Sequence, residues 1–346
     1  MDDVITQPVE LWRVDTDGSN ERLVASYQPV INGGAGWPSS NGHYLVVNAA
    51  QGLVMFDFVE GTVQVVAASA EQDTVSSPLE LNPVALSLLW EPGDNSFLYY
   101  TGLPPEGGEL RRQTLPLGQP SEVLLAGAFE FDGRSIAPVF LQGKLNDNRL
   151  VANNREVIDV AQERTIELSY TNPDANGPIT RPITGILDVK EDTIVFHAQC
   201  IADVCAEGGY GSVVGVGEYR SGENGMLQNV RHLSPVGQLM WAAERLDAHR
   251  FVARYDPRLG GNEWGSNLRT LVILDPAQPD EPIDITPWEG PEFWDQSFAI
   301  IDGNRAVVHR ESEATGPELW LVTLDGSAEP VFLAKGAFPW FVEDSP

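Results

Sequence analysis

A formal charge of −29, from 50 acidic and 21 basic side chains in 346 residues, gives a surface that repels phosphate backbones and anionic lipid, which argues against nucleic-acid and membrane-surface partners. A hydrophobic content of 42% suffices for a packed core, and no apolar run approaches the ~20 residues of a membrane-crossing helix, so no membrane insertion is expected. The 33 glycines and 25 prolines predict frequent tight turns, and Met1-Asp2-Asp3-Val4 lacks the basic and apolar stretches of a secretion signal.

The first predicted element is a strand running into a turn, Glu10-Leu11-Trp12-Arg13-Val14-Asp15-Thr16-Asp17-Gly18-Ser19. The same pattern, E-L-W-x-V-x-x-D-G-S, returns as Glu318-Leu319-Trp320-Leu321-Val322-Thr323-Leu324-Asp325-Gly326-Ser327. Such self-similarity in a β-rich chain points to a repeat architecture, whose edges must be buried somewhere. Units of four short strands follow in order. The second holds Trp37-Pro38, His43–Val47, Gly52–Phe58 and Thr62–Val66, with Asn-Gly and Glu-Gly turns as hairpin signals. The third repeats it from Leu88-Leu89-Trp90 to Leu125. The fourth runs from about Ile136 to Leu168, the fifth from Ile183 to Leu233, the sixth from Leu239 to Ile285 and the seventh from Phe298 to Leu333. The N-terminus supplies only two outer strands, and Phe338–Asp344 reads as the opening strand of a unit, so the two ends together are expected to make one composite blade. The expected fold is all-β, a closed β-propeller spanning 1–346 as a single domain, with almost no helix. Seven blades are expected, with six or eight as alternatives.

Leu11 to Leu23, with its Asp-Gly turn, and Leu319 to Gly326 resemble the TolB-type, WD40-like propeller repeat. Trp37-Pro38, Trp90-Glu91-Pro92-Gly93-Asp94 and Trp340 resemble that family's W-S-P-D-G corner, although Trp37 is not followed by S-P-D-G and the corner fades in the fourth to sixth units. The resemblance implies a propeller. It carries no catalytic residue to this chain, because the family includes both periplasmic scaffold proteins and the propeller portions of peptidases.

Local signatures of chemistry are sparse. Asp15–Glu21 lacks the D-x-D-x-D-G spacing and distal Glu of a calcium loop and reads as a hairpin turn. The five histidines form no metal-ligand spacing, and only His249, near Asp247 and Glu244, has charged company. No G-x-S-x-G elbow is present, and the glycines of Gly208–Gly217 lack the following helix of a dinucleotide site. Neither a cofactor nor a metal is expected. Trp12 and Trp320, and Trp37 and Trp90, occupy repeated positions and are expected to pack between blades. Trp264 instead lies in the polar stretch Gly260–Asn267, where an exposed aromatic suits a contact residue or a loop anchor.

These readings favour a non-catalytic binding or scaffold propeller that recognises a protein or glycan through loops on one face. The expected surface comprises the insertions around 200–211 and 258–267, with Tyr210 and Trp264 as aromatic anchors and Asp203, Glu207 and Glu263 as an acidic rim for a cationic partner. A monomer is expected. The alternatives are a hydrolase or lyase with its site at the channel mouth, or the propeller portion of a larger peptidase. Cys200 and Cys205 are spaced too widely for C-x-x-C chemistry and have no second pair to complete a zinc site. A disulfide stapling one loop is the favoured reading, with two free thiols as the alternative. The bridge points to a periplasmic, cell-surface or secreted protein, the cytoplasm being the alternative. Alkylation without reductant, followed by mass measurement, should leave both cysteines unmodified; two modified thiols would refute the bridge. Its loss should loosen one loop and leave the ring folded, because the closed loop is short.

Overall fold

The computed structural model describes residues 8–30, 36–68, 84–101, 108–126, 129–131, 134–136, 140–162, 164–172, 180–199, 212–222, 224–234, 239–247, 249–256, 270–279, 283–285, 293–312 and 314–342. Among the described residues there is no helix. A hairpin of β1 (Val9–Arg13) and β2 (Arg22–Tyr27) comes first. The first four-stranded sheet is β3 (Trp37–Pro38), β4 (Tyr44–Ala49), β5 (Gly52–Asp57) and β6 (Thr62–Ala68), and the second is β7 (Ser87–Trp90), β8 (Ser96–Thr101), β9 (Glu109–Thr114) and β10 (Glu122–Ala126). After a small hairpin, β11 (Phe129–Phe131) and β12 (Arg134–Ile136), the third sheet is β13 (Leu141–Lys144), β14 (Leu150–Ala152), β15 (Glu156–Asp159) and β16 (Arg164–Glu167). A second hairpin, β17 (Ser169–Thr171) and β18 (Thr180–Pro182), precedes the fourth sheet, β19 (Gly185–Lys190), β20 (Thr193–Gln199), β21 (Ser212–Glu218) and β22 (Gln228–His232). The fifth is β23 (Leu239–Arg245), β24 (Phe251–Asp256), β25 (Thr270–Leu274) and β26 (Ile283–Asp284); the sixth is β27 (Phe293–Asp302), β28 (Arg305–Ser312), β29 (Gly316–Thr323) and β30 (Val331–Lys335). Every sheet is an antiparallel meander in chain order. Strand β7 lies against β13, β13 against β19 and β19 against β23, so the first strand of each unit is the inner one, as in a β-propeller.

The sheets are held together by side chains that alternate between two neighbours. In a strand, successive residues point to opposite faces. Val46 enters an apolar cluster with Leu88, Phe97 and Tyr99 of the second sheet, while Leu45 and Val47 join Leu11 and Tyr27 of the N-terminal hairpin. Val151 packs with Ile194 and Phe196 of the fourth sheet, whereas Leu150 and Ala152 pack with Leu98 and Leu110 of the second. Val195 faces Phe251 and Ala253 of the fifth sheet, and Val252 faces Ala306 and Val308 of the sixth. The middle strands are therefore buried on both faces and read in the sequence as unbroken apolar runs. The fourth strands are edges: β6 is exposed over most of its length.

Polar groups fix the corners between first and second strands. Asp94, buried in the corner of the second sheet, accepts hydrogen bonds from the backbone N–H groups of Ser40 (3.1 Å) and Asn41 (3.0 Å) and from Ser40 Oγ (2.7 Å) in the corner of the first. Asp192 repeats the device between the fourth and third sheets, accepting from the backbone N–H (3.1 Å) and Nδ2 (3.0 Å) of Asn146. Trp90 Nε1 donates to the Trp37 carbonyl at 3.1 Å, which gives these two tryptophans the packing role their repeated positions suggest.

The units predicted to be whole are the six four-stranded sheets. The composite blade is not a sheet of that kind, so the expected count of seven is corrected to six. Among the described residues β1 pairs with β2 alone, and residues 336–342 form no strand. The repeat itself is real. Trp12 Nε1 donates to Glu10 Oε2 (3.0 Å) and Trp320 Nε1 to Glu318 Oε2 (3.1 Å). The Ser19 and Ser327 N–H groups donate to Asp17 and Asp325, and Gly18 and Gly326 both take positive φ (+80° and +66°). The C-terminal segment packs through side chains, with Trp340 against Phe58 beside the first sheet (ring centroids 5.9 Å apart) and Phe338 against His309 of the sixth (5.5 Å). Asp94→Ala should cost about 2–4 kcal/mol of stability, because it strands two backbone donors at a buried corner. Asp192→Ala, at a more exposed corner, should cost about half as much. Chemical denaturation checks this order, and equal losses would contradict it.

Candidate functional site

Four of the six inner strands share one irregularity. Antiparallel pairing with the second strand slips at Gln142 in β13, Leu187 in β19, Ala242 in β23 and Gln296 in β27. A β-bulge re-aims the side chains around it and bends the strand. At the third sheet the consequence is visible. Gln142 Nε2 donates to the Ile186 carbonyl of the next sheet (3.0 Å) and to Asn154 Oδ1 (3.0 Å), and its Oε1 accepts from the Asn154 backbone N–H (2.7 Å). Asn153 and Asn154 both take positive φ (+53° and +66°), a turn conformation that asparagine tolerates. Leu141 N–H donates to Ser87 Oγ of the second sheet at 2.7 Å.

These contacts frame a cavity of about 450 Å³ lined by Trp37, Leu86, Ser87, Phe140, Leu141, Gln142 and Asn154. It draws on the inner ends of the first three sheets. Phe140 is 56% exposed there, beside amide groups already held in place by their own hydrogen bonds. An apolar ring next to fixed polar groups is the usual composition of a recognition pocket.

Farther along the inner strands the charges sort by sheet. Glu91 takes hydrogen bonds from Lys144 Nζ (2.6 Å), Arg112 Nε (2.8 Å) and Nη2 (2.9 Å), and Ser96 Oγ (2.7 Å). Burial pushes its carboxyl up, but these donors outweigh that and hold it at about 2. By strand register Glu244 occupies on β23 the position of Lys144 on β13, yet among the described residues it makes no ion pair. Glu244 is solvent-exposed, although neighbouring protein still crowds its carboxyl. Desolvation, with the Asp188 charge as the second cause, pushes its carboxyl up to about 7. Asp188 is raised by burial as well, partly offset by Arg245, whose Nη2 is 3.1 Å away and whose guanidinium lies 4.9 Å over the Phe251 ring.

The binding residues expected from the sequence, Asp203, Glu207, Tyr210, Glu263 and Trp264, lie outside the described residues, as do Cys200 and Cys205. Strands β20 and β24 end, and β21 and β25 begin, on the side where β19 and β23 begin. The His249, Asp247 and Glu244 grouping is not a site. Asp247 accepts from the backbone N–H groups of His249 and Arg250 and from Arg250 Nε, which hold it at about 2 as the cap of a turn. His309 is buried, with its pKa lowered by desolvation, against Ser297 and Phe338. Phe140, Gln142, Asn154 and Asp188 had no local motif to announce them; a carboxylate interrupting the apolar run Gly185–Val189 was the one available signal.

No family model and no curated protein match the chain. Solved structures do. A puromycin-hydrolyzing peptidase of Mycobacterium tuberculosis superposes with a TM-score of 0.53 at 14% identity, covering 94% of this chain and 50% of that one. Prolyl oligopeptidase B from Galerina marginata gives 0.52 at 10% identity, covering 94% and 47%. TolB from Acinetobacter baumannii gives 0.41 at 16%, covering 92% and 57%. The chain thus spans about half the length of the two peptidases, and what it shares with them is the propeller fold.

Glu244 titrates where its effect on stability can be read. Its folded-state pKa lies above the unfolded carboxylate value, so the folded state holds the extra proton between about pH 4.5 and 7, and stability falls as pH rises through that window. Glu244→Gln should remove this loss. The difference in melting temperature between the variant and the parent should grow from pH 5 to pH 7.5; a constant difference would show that Glu244 does not titrate there.

Proposed function

We propose that this protein is a binding propeller, not an enzyme, and that it takes its partner on the face where the inner strands begin. The observation that carries the reading is the cavity beneath Phe140, with its amides immobilised by bonds to the protein's own backbone. Such groups orient a ligand; they are poorly suited to moving protons. The net charge of −29 favours a partner with basic groups, a protein or a glycan. Strands β20 and β24 end on this side, and Tyr210 and Trp264, in the sequence that follows them, would extend the surface. The cysteine spacing favours a location at the cell envelope or outside the cell. The chain ends meet in a seam that closes the ring through side chains.

A second reading follows from the peptidases: a propeller attached to a catalytic domain in a longer protein. Peptidase activity in the full product of the gene, absent from this chain, would favour it. For the binding reading, a glycan array and a library of basic peptides are the probes. Phe140→Ala should weaken the best probe by about 10- to 100-fold, the usual effect of truncating an aromatic anchor, with the melting temperature unchanged. Trp264→Ala tests the extended surface in the same way. Unchanged affinity in Phe140→Ala, or no probe bound at all, would remove the pocket from consideration.

A further inference from the structure

In the cavity beside Phe140 the described oxygens are already engaged. Gln142 Oε1 accepts from the Asn154 backbone N–H, Asn154 Oδ1 from Gln142 Nε2, and Ser87 Oγ from the Leu141 N–H. The Phe140 carbonyl accepts from the Asn153 N–H (2.8 Å), and the Trp37 carbonyl from Trp90 Nε1. Both hydrogens of Gln142 Nε2 are engaged as well, one by Asn154 and one by the Ile186 carbonyl.

Three donors are left over. The Asn154 Nδ2 group, the Ser87 hydroxyl hydrogen and the Trp37 indole N–H belong to lining residues of this one cavity, and none of them has an acceptor among the described residues. Asn154 is exposed and Trp37 half-buried, and the Phe140 ring supplies open apolar surface. A group entering here should bring acceptors and apolar area and few donors of its own, because a donor would meet oxygens that are already bonded.

These demands separate the ligand classes. A sugar hydroxyl is donor and acceptor at once, so it brings a surplus hydrogen with each oxygen. An ordinary peptide brings an N–H with every carbonyl. A carboxylate brings acceptors alone, but none of the described lining residues is cationic and the net charge of −29 repels it. A proline brings a carbonyl, an apolar ring and no N–H. In polyproline II the carbonyls make no internal hydrogen bonds and are free to accept. The helix is also formed before binding, which lowers the entropy lost on docking. One turn is about 9 Å long, in keeping with a cavity of about 450 Å³.

We infer that the cavity receives a proline-rich segment of a partner protein in the polyproline II conformation. Its rings lie on Phe140 and Trp37, and its carbonyls accept from the three free donors. The acidic surface adds a preference for lysine or arginine on either side of the prolines. The assignment rests on the binding reading above and narrows it from protein or glycan to one backbone conformation.

The test uses the full chain and a capped peptide of six prolines with two lysines at each end, which should bind in titration calorimetry. Replacing alternate prolines by alanine restores N–H groups and loosens the helix. That peptide should bind at least about tenfold more weakly. Asn154→Asp keeps the turn, since aspartate tolerates its positive φ, and keeps an oxygen for Gln142 Nε2, but exchanges the free donor for an acceptor. It should weaken binding of an uncharged, capped hexaproline by about tenfold, the effect of one lost hydrogen bond, with the melting temperature unchanged. Equal affinity for the alanine-substituted peptide, or hexaproline binding unaltered in Asn154→Asp, would overturn the assignment. If a glycan or a proline-free basic peptide binds in a way that Phe140→Ala abolishes, and the proline peptide does not bind, the pocket stands and the polyproline assignment falls. Failure of every probe removes both.

Discussion

A strand that is apolar on both faces cannot be the last one in a stack. Leu45, Val46 and Val47 divide between two interfaces, and so do Leu150, Val151 and Ala152. Burying each apolar side chain is worth roughly 1.5–3 kcal/mol, so every middle strand demands a neighbouring sheet on each side. A row of such sheets must either curve round until its ends meet or leave one apolar face in water. The architecture follows from that demand. The N-terminal hairpin is retained because it covers the outer face of the first sheet through Leu11 and Tyr27.

Non-directional burial does not set the rotation of one sheet on the next. The corner carboxylates do. Asp94 and Asp192 each satisfy donors in the corner of the preceding sheet, and an unsatisfied buried N–H is costly enough to select one arrangement. Glu91 performs a related task with Lys144 and Arg112. Much of the polar chemistry on the inner strands is thus committed to holding sheets in place. The groups that remain, Glu244 and the partly offset Asp188, stand out because their neighbours do not neutralise them.

The bulges link this scaffold to recognition. A regular inner strand would keep Gln142 within its own sheet; the extra residue sends its amide to the backbone of the fourth sheet and fixes Asn154 beside it. The amides that line the pocket beside Phe140 are therefore fixed by bonds that also tie adjacent sheets together. Function on this fold is left to residues that the packing does not consume.

The sequence alone determined the strand pattern, the boundaries of the six whole units and the equivalence of the two E-L-W segments, because these depend on local alternation and on turn residues such as Asp17-Gly18 and Asp325-Gly326. It also assigned Trp37 and Trp90, as repeated positions, to packing between units. It could not say that the composite unit falls short, since whether 338–342 pairs with β1 depends on how far apart six packed sheets hold the two ends. Nor could it find the pocket or the Asp188, Arg245 and Glu244 group, whose members lie on different strands. Only the tertiary structure decided those, because a bulge, a shared cavity and a raised carboxyl arise from the approach of residues far apart in the chain, and nothing in the local pattern encodes that distance.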